Sequence, residues 1–217
     1  MLFRSLLGLV EKLYRCFAES DATLCEINPL AVSPGGELRA LDAKVTLDDS
    51  ALVRHPDLAA WRDSAAADPL EAYARERGVP YVKLDGTVGI VCNGAGLAMA
   101  TLDLITLAGG RAANFCDLGG SGGSVENVVK VLEVVARDPQ VRALLFNIFG
   151  GIVRCDDIAQ GILAAVDRSG IAVPVVVRLD GTNAEEGRRL LAEAANPALH
   201  VEATMLTAAR RAVELAA

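Results

Sequence analysis

Two stretches of the chain carry residue types at spacings suited to binding anions and a hard cation. Leu144 to Asp156 reads Leu-Leu-Phe-Asn-Ile-Phe-Gly-Gly-Ile-Val-Arg-Cys-Asp. The pattern predicts a buried strand that ends at Gly150-Gly151 and turns straight into a helix. Glycines permit a tight turn, and the unpaired N–H groups of a first helical turn then face whatever lies above the sheet. A phosphate or carboxylate fits such a junction without a basic side chain, so Gly150, Gly151, Ile152 and Val153 are candidate anion-binding residues.

The second stretch is a hairpin. Leu24 to Val32 and Leu38 to Thr46 alternate as strands about the turn Ser33-Pro34-Gly35-Gly36. A turn centred on Gly35 sets Asn28 opposite Asp42 and Glu26 opposite Lys44, all on one sheet face. An amide oxygen beside a carboxylate suits Mg²⁺, which takes one or two protein oxygens and completes its octahedron with water and nucleotide phosphates. Glu26 beside Lys44 suits either an ion pair or the orientation of a reacting group. The competing reading is a solvated polar sheet face.

The elements that must hold these groups follow from hydrophobic periodicity. Leu6, Leu9, Val10, Leu13 and Phe17 define one face of an N-terminal helix, which argues against a signal peptide, and residues 1–48 read as that helix plus the hairpin. Residues 49–85, with Pro56, Pro69 and Pro80, read as a connector with one or two short helices and a boundary near Leu84. From 86 to 217, β-rich runs near 88–92, 112–117, 142–148, 174–179 and 199–203 alternate with amphipathic helices. The helix from Val125 shows the pattern through Val128, Val129, Leu132, Val135 and Ala136, and Asn183 followed by Glu186 reads as a helix start. These units predict an α/β fold with a flavodoxin-like five-stranded parallel sheet of order 2-1-3-4-5. In that order the loops Asn93-Gly94-Ala95-Gly96 and Gly150-Gly151-Ile152-Val153 flank one crevice, with the glycine-rich loop Asp117 to Ser124 nearby. Asn93 is then either a turn former or a ligand contact.

Composition narrows the function. A net charge of −7 with no basic run offers nothing to nucleic acid or to an anionic membrane surface. No apolar stretch approaches the roughly 18 residues of a membrane span. Five cysteines without a C-x-x-C pair are expected to be reduced and buried, which points to the cytoplasm. Asn-Gly-Ala-Gly lacks the third glycine of a dinucleotide fingerprint, so a nicotinamide or flavin site has little support. His55 and His200 fall away from the crevice, and the chain offers no convincing nucleophile of its own.

Cys25-Glu26-Ile27-Asn28-Pro29-Leu30, Leu41-Asp42-Ala43-Lys44, Cys92-Asn93-Gly94-Ala95-Gly96-Leu97-Ala98-Met99-Ala100, Ala113-Asn114-Phe115 with Asp117-Leu118-Gly119-Gly120, and Asn147-Ile148-Phe149-Gly150-Gly151-Ile152-Val153-Arg154-Cys155 closely resemble the β subunits of succinyl-CoA synthetases. The related malate–CoA ligases share these motifs. The resemblance implies an acid–CoA ligase that uses ATP or GTP and passes the phosphoryl group through a histidine of a partner α subunit, which also binds most of the CoA. It implies Asn28 and Asp42 as Mg²⁺ ligands, Glu26 as the catalytic carboxylate near the visiting phosphohistidine, and Asn93 with Gly150 to Val153 as positions for phosphate and a small carboxylic acid, succinate first. It further implies that residues 1–48 are the C-terminal remnant of an ATP-grasp domain, so that most nucleotide contacts lie outside this chain and the chain alone is inactive. The loop Gly119-Gly120-Ser121-Gly122-Gly123-Ser124 is one residue longer than the family pattern. A non-catalytic flavodoxin-like binding module is the alternative.

Overall fold

The alternation of short apolar runs with amphipathic stretches yields ten strands and eight helices among the described residues of the computed structural model, which cover 2–61, 68–119, 123–169 and 171–217. The chain divides into two compact units, Met1–Asp63 and Ser64–Ala217.

In the first unit, helix α1 (Leu2–Glu19) precedes strands β1 (Ala22–Ile27), β2 (Leu30–Val32), β3 (Leu38–Ala40) and β4 (Ala43–Leu47). The antiparallel register matches the hairpin expectation: Glu26 faces Lys44, Cys25 faces Val45, and Leu30 faces Ala40. The ladder is interrupted at the cis Asn28–Pro29 peptide, where the Asn28 N–H still donates to the Asp42 carbonyl at 3.2 Å. Only part of the apolar face of α1 is covered within this unit. Leu9 and Leu13 are half-buried, whereas Leu6, Val10 and Phe17 stay exposed. A 3₁₀ turn (Asp49–Arg54) and the short helix α2 (Pro56–Ala59) follow, and His55 between them closes on Asp21 with Nε2 2.7 Å from the carboxylate.

The second unit begins upstream of the boundary expected near Leu84, because its first elements belong to its core. Helix α3 (Pro69–Glu76) packs Leu70, Tyr73 and Ala74 against that core. Strand β5 (Tyr81–Lys83) pairs antiparallel with β7 (Asn114–Cys116). The central sheet is parallel and four-stranded, in the order β10 (Leu199–Val201), β9 (Val175–Gly181), β8 (Ala143–Gly150), β6 (Val88–Cys92). Helices α5 (Val125–Val135) and α6 (Cys155–Ser169) cover one face, and α4 (Ala95–Leu107) and α8 (Met205–Leu215) cover the other. Helix α7 (Ala184–Glu193) adds Leu191 to the α5/α6 side. Ile90, Leu144, Leu145, Phe146 and Ile148 are fully buried, each worth about 2 kcal/mol of transfer free energy.

The expected five-stranded parallel sheet is corrected at its second strand. The backbone of β7 turns to β5 and touches β6 only through isolated parallel bridges, Val88 to Ala112 and Cys92 to Asp117. Between those bridges the buried Asn114 side chain replaces the missing ladder. Its Oδ1 accepts from the Ile90 N–H at 3.0 Å and its Nδ2 donates to the Ile90 carbonyl at 2.8 Å. Buried backbone groups must be paired, and here an amide side chain pairs them.

Candidate functional site

In the first unit the candidate residues sit where β1 gives way to the cis peptide. Period two puts Glu26 and Asn28 on one sheet face, and the Asn28 Nδ2 donates to the Glu26 carboxylate at 3.1 Å. That bond turns the amide nitrogen toward Glu26 and leaves the Asn28 oxygen as an acceptor. Asp42 stands opposite across the 3.2 Å backbone bond and is exposed. Glu26 and Lys44 are cross-strand neighbours, yet they form no ion pair among the described residues, and Glu26 is engaged by Asn28 instead. No cluster of three or more His, Cys, Asp or Glu side chains is present among the described residues. A donor set of one amide oxygen and one carboxylate fits a cation that keeps most of its water or takes phosphate oxygens, as Mg²⁺ does.

In the second unit Asn93, at the end of β6, does not sit idle in a turn. Its Nδ2 donates to the Phe149 carbonyl at 2.7 Å and its Oδ1 accepts from the Phe149 N–H at 2.8 Å, tying the two loops of the crevice together. One amide hydrogen and one lone pair remain for a ligand. Gly94, with φ +101, starts α4, and its N–H donates to the Asp117 carboxylate at 2.6 Å. Asp117 also accepts from the Gly119 N–H at 2.8 Å. An internal carboxylate therefore occupies the entrance to α4 that an external anion would otherwise compete for.

The glycine junction after β8 differs from the direct strand-to-helix turn expected. Helix α6 begins at Cys155, because the Cys155 N–H is captured by the Thr182 carbonyl at 3.0 Å while the Thr182 N–H returns to the Gly150 carbonyl at 3.0 Å. Residues 151–154 are consequently a loop. The N–H groups of Gly151, Ile152 and Val153 have no hydrogen-bond partner among the described residues. Gly151 faces open space and Ile152 is 90% exposed, whereas Val153 is buried and abuts Gly123. Consecutive unpartnered amides in a loop are the kind of donor that can take an anion when they converge. Gly120, Ser121 and Gly122 of the neighbouring glycine-rich loop lie outside the described residues.

The first turn of α6 carries its own counter-charges. Arg154 grips Asp156 with Nε at 3.2 Å and a terminal nitrogen at 2.7 Å, and Asn183 adds a third bond at 3.1 Å. These bonds, Arg154 first, hold the Asp156 carboxyl down at about 2. They also correct the expected capping role of Asn183, which occupies the N-cap of α7 in a left-handed conformation but sends its side chain to Asp156. Asp156→Asn is expected to destabilise the fold at neutral pH. A lowered folded-state pKa contributes stability above the ordinary carboxylate range, and that contribution disappears as pH falls from about 4 toward 2. Urea denaturation of both proteins across this range should show the difference shrinking with acidity; a constant difference would contradict the assignment.

Beneath the crevice runs a polar row that the sequence reading missed. Cys92, Asn147 and Arg178 are in register on β6, β8 and β9. Asn147 donates to Thr101 of α4 at 2.8 Å and accepts from Arg178 at 3.3 Å; Arg178 also reaches the Ile148 carbonyl at 3.4 Å and Asp180 at 2.6 Å. Its side chain is only 9% exposed, and its Nε has no partner. An arginine inside the apolar run Val175-Val176-Val177-Arg178-Leu179 was the available signal, since charge is rare on a doubly covered parallel strand.

Comparisons with known proteins agree with this architecture. The family model described as CoA-ligase matches residues 90–215. The β subunit of an ADP-forming succinate–CoA ligase from Rubrobacter xylanophilus is 61% identical over 207 residues, covering 95% of this chain and 54% of the relative. Its counterpart from Roseiflexus sp. is 51% identical over 213 residues, covering 98% of this chain and 55% of the relative. The chain thus spans about half the length of the curated relatives it matches. A solved ATP citrate lyase from Methanothrix soehngenii, in complex with citrate and coenzyme A, shares the fold at TM-score 0.78 and 18% identity, covering 97% of this chain and 59% of that one. With the matched family region spanning the parallel sheet and its helices from β6 onward, the chain belongs to the CoA-ligase family.

Proposed function

We propose that this chain supplies the C-terminal part of a β subunit in a nucleotide-dependent carboxylate–CoA ligase, with succinate as the acid. The observation that carries this reading is the run of three unpartnered amides at Gly151 to Val153, open above Gly151, at the end of a central strand. Such a loop receives a phosphoryl or carboxylate group with fixed dipoles and no reorganisation. Among the described residues the thiol beside the loop, Cys155, is buried and bonded to the Asp180 carbonyl, so the site suits an α subunit whose phosphohistidine is presented to it. In this reading Asn93 holds the crevice while offering its remaining hydrogen and lone pair to the acid.

Residues 1–48 are read as the end of an ATP-grasp domain, and the second unit, α3 and β5 included, as the ligase domain. Asn28 and Asp42 would hold Mg²⁺, which supplies charge neutralisation for the phosphates of ATP or GTP when bound. Glu26, aligned by Asn28, faces the visiting histidine and accepts its proton. CoA is carried mainly by the α subunit, and the assembly works in the cytoplasm. No helix of the described residues is long and apolar enough to cross a membrane.

The test joins this chain to the N-terminal half of the Rubrobacter β subunit, co-expresses it with that organism's α subunit, and assays CoA thioester formation from several acids. Succinyl-CoA is the expected product. Asp42→Ala is expected to lower kcat/KM for the Mg-nucleotide about 100-fold or more, a loss of roughly 2.7 kcal/mol of transition-state stabilisation. Full activity in that variant would refute the hairpin assignment, and absence of thioester with every acid would refute the function.

A further inference from the structure

Among the described residues the ammonium of Lys44 makes no hydrogen bond and no ion pair, although a carboxylate stands directly across from it. The register of β1 and β4 sets Glu26 opposite Lys44, so both side chains leave the strands on one face with Cβ atoms about 5 Å apart. Glu26 nevertheless takes its bond from Asn28 Nδ2 at 3.1 Å. Strands β1 to β4 hold two basic residues, and the other, Arg39, pairs with Glu37 at 3.8 Å. Lys44 is therefore the unneutralised cation of these strands, and it is exposed. The small unit does not close over the opposite face either. Cys25 there is only half-buried and Cys16 of α1 is exposed, which corrects the expectation that every cysteine is buried.

Strand geometry orders the groups along that face. Two residues on, the Asn28 N–H meets the Asp42 carbonyl at 3.2 Å, which sets the Asn28/Asp42 row about 7 Å from the Glu26/Lys44 row. In the ligase reading the first row holds the metal and the nucleotide phosphates, and the second receives the histidine. A phosphoryl group passing between the rows meets the carboxylates of Glu26 and Asp42, which repel it. It also meets the ammonium of Lys44, a compact charge with three donors on a flexible stem. We infer that Lys44 is a further binding residue of the hairpin, donating to the oxygens of the phosphoryl group in transit. The inference rests on the ligase reading and adds to it the side chain that neutralises the moving charge. The phosphorus breaks its bond to the oxygen it shares with the nucleotide's β-phosphate and bonds the histidine nitrogen, whose proton goes to Glu26. Lys44 gives up no proton; its donors offset the charge that spreads over the outer oxygens.

The hybrid β subunit, this chain joined to the N-terminal half of the Rubrobacter β subunit, is assembled with the α subunit and kept free of acid and CoA. Equilibrium dialysis measures its affinity for Mg-ADP and for the Mg complex of the β,γ-imido analogue of ATP, which holds on to its terminal phosphoryl group. Lys44→Met is expected to weaken the imido analogue about tenfold and to leave ADP within about twofold. Lys44→Arg keeps the charge and should recover most of the loss. At saturating ATP, the rate of phosphoryl transfer to the α subunit should fall about 100-fold or more in Lys44→Met. Equal losses for the two nucleotides would assign Lys44 to the phosphates they share and overturn the inference. So would an unchanged affinity for the imido analogue in Lys44→Met, with the ligase reading left standing because the parent hybrid binds both nucleotides. A parent hybrid that binds neither nucleotide would bring down the reading and the inference together.

Discussion

Replacing Gly181 by alanine is expected to cost at least about 3 kcal/mol and to disturb the loop of residues 151–154, because two independent penalties coincide there. Gly181 sits at φ +84, a left-handed conformation that costs any residue with a Cβ about 1–2 kcal/mol. An added Cβ would also lie 2.2 Å from the Gly150 carbonyl oxygen, which is backbone and cannot rotate aside. That oxygen accepts the Thr182 N–H, and Thr182 in turn fixes the Cys155 N–H at the head of α6. Moving Gly150 therefore moves both ends of the loop that presents Gly151 to Val153. Gly151→Ala is the matched comparison, since an added Cβ there meets nothing within 4 Å. It should cost under about 1 kcal/mol. Urea denaturation gives the two stabilities, and amide NMR shifts on adding inorganic phosphate report on the loop. Equal costs for the two variants would overturn the argument.

Asp180→Ala is expected to destabilise the second unit by about 2–4 kcal/mol, more than Arg178→Met at its partner position. The asymmetry follows from burial. The Arg178 side chain is 9% exposed and Asp180 is 54% exposed. Removing Asp180 strands a guanidinium inside the protein with only the longer bonds to Asn147 and Ile148 and an unpartnered Nε. Removing Arg178 leaves a carboxylate that water can solvate, an apolar side chain of similar length in the gap, and one unpaired Asn147 oxygen worth about 1–2 kcal/mol. The double variant should be more stable than Asp180→Ala alone, because the stranded charge is gone. Chemical denaturation of all four proteins tests the order. Arg178→Met proving the costlier single change would mean that the arginine is held by contacts other than Asp180.

The candidate site was legible where it depended on local rules. Glu26 faces Lys44 and Asn28 pairs with Asp42 through the backbone as expected, because strand period and a Pro-Gly-Gly turn set that register. Asn93 and the glycines after β8 were found because open parallel sheets put such loops at one edge. Their partners were not legible. Asn93 bonding to Phe149, Asp117 closing the entrance to α4, and Asn183 turning from its cap to Asp156 are all contacts between residues far apart in sequence. A side chain that could satisfy a local turn was drawn instead to a buried or charged group that offered a stronger bond.

The order of amino acids alone sufficed for the α/β class, the positions of the core strands, the hairpin register and the identity of the two glycine loops, since each follows from periodicity or turn chemistry within a few residues. Three features waited for the folded chain. Strand β7 pairs with β5 rather than entering the parallel ladder, because Asn114 satisfies Ile90 in place of backbone. Helix α6 starts at Cys155 rather than at Gly151, because the Thr182 carbonyl claims the Cys155 amide. The unpartnered amides of residues 151–153 are therefore those of a loop, left unpaired by hydrogen bonds made elsewhere, and competition among distant donors and acceptors for burial and pairing has no signature in sequence spacing.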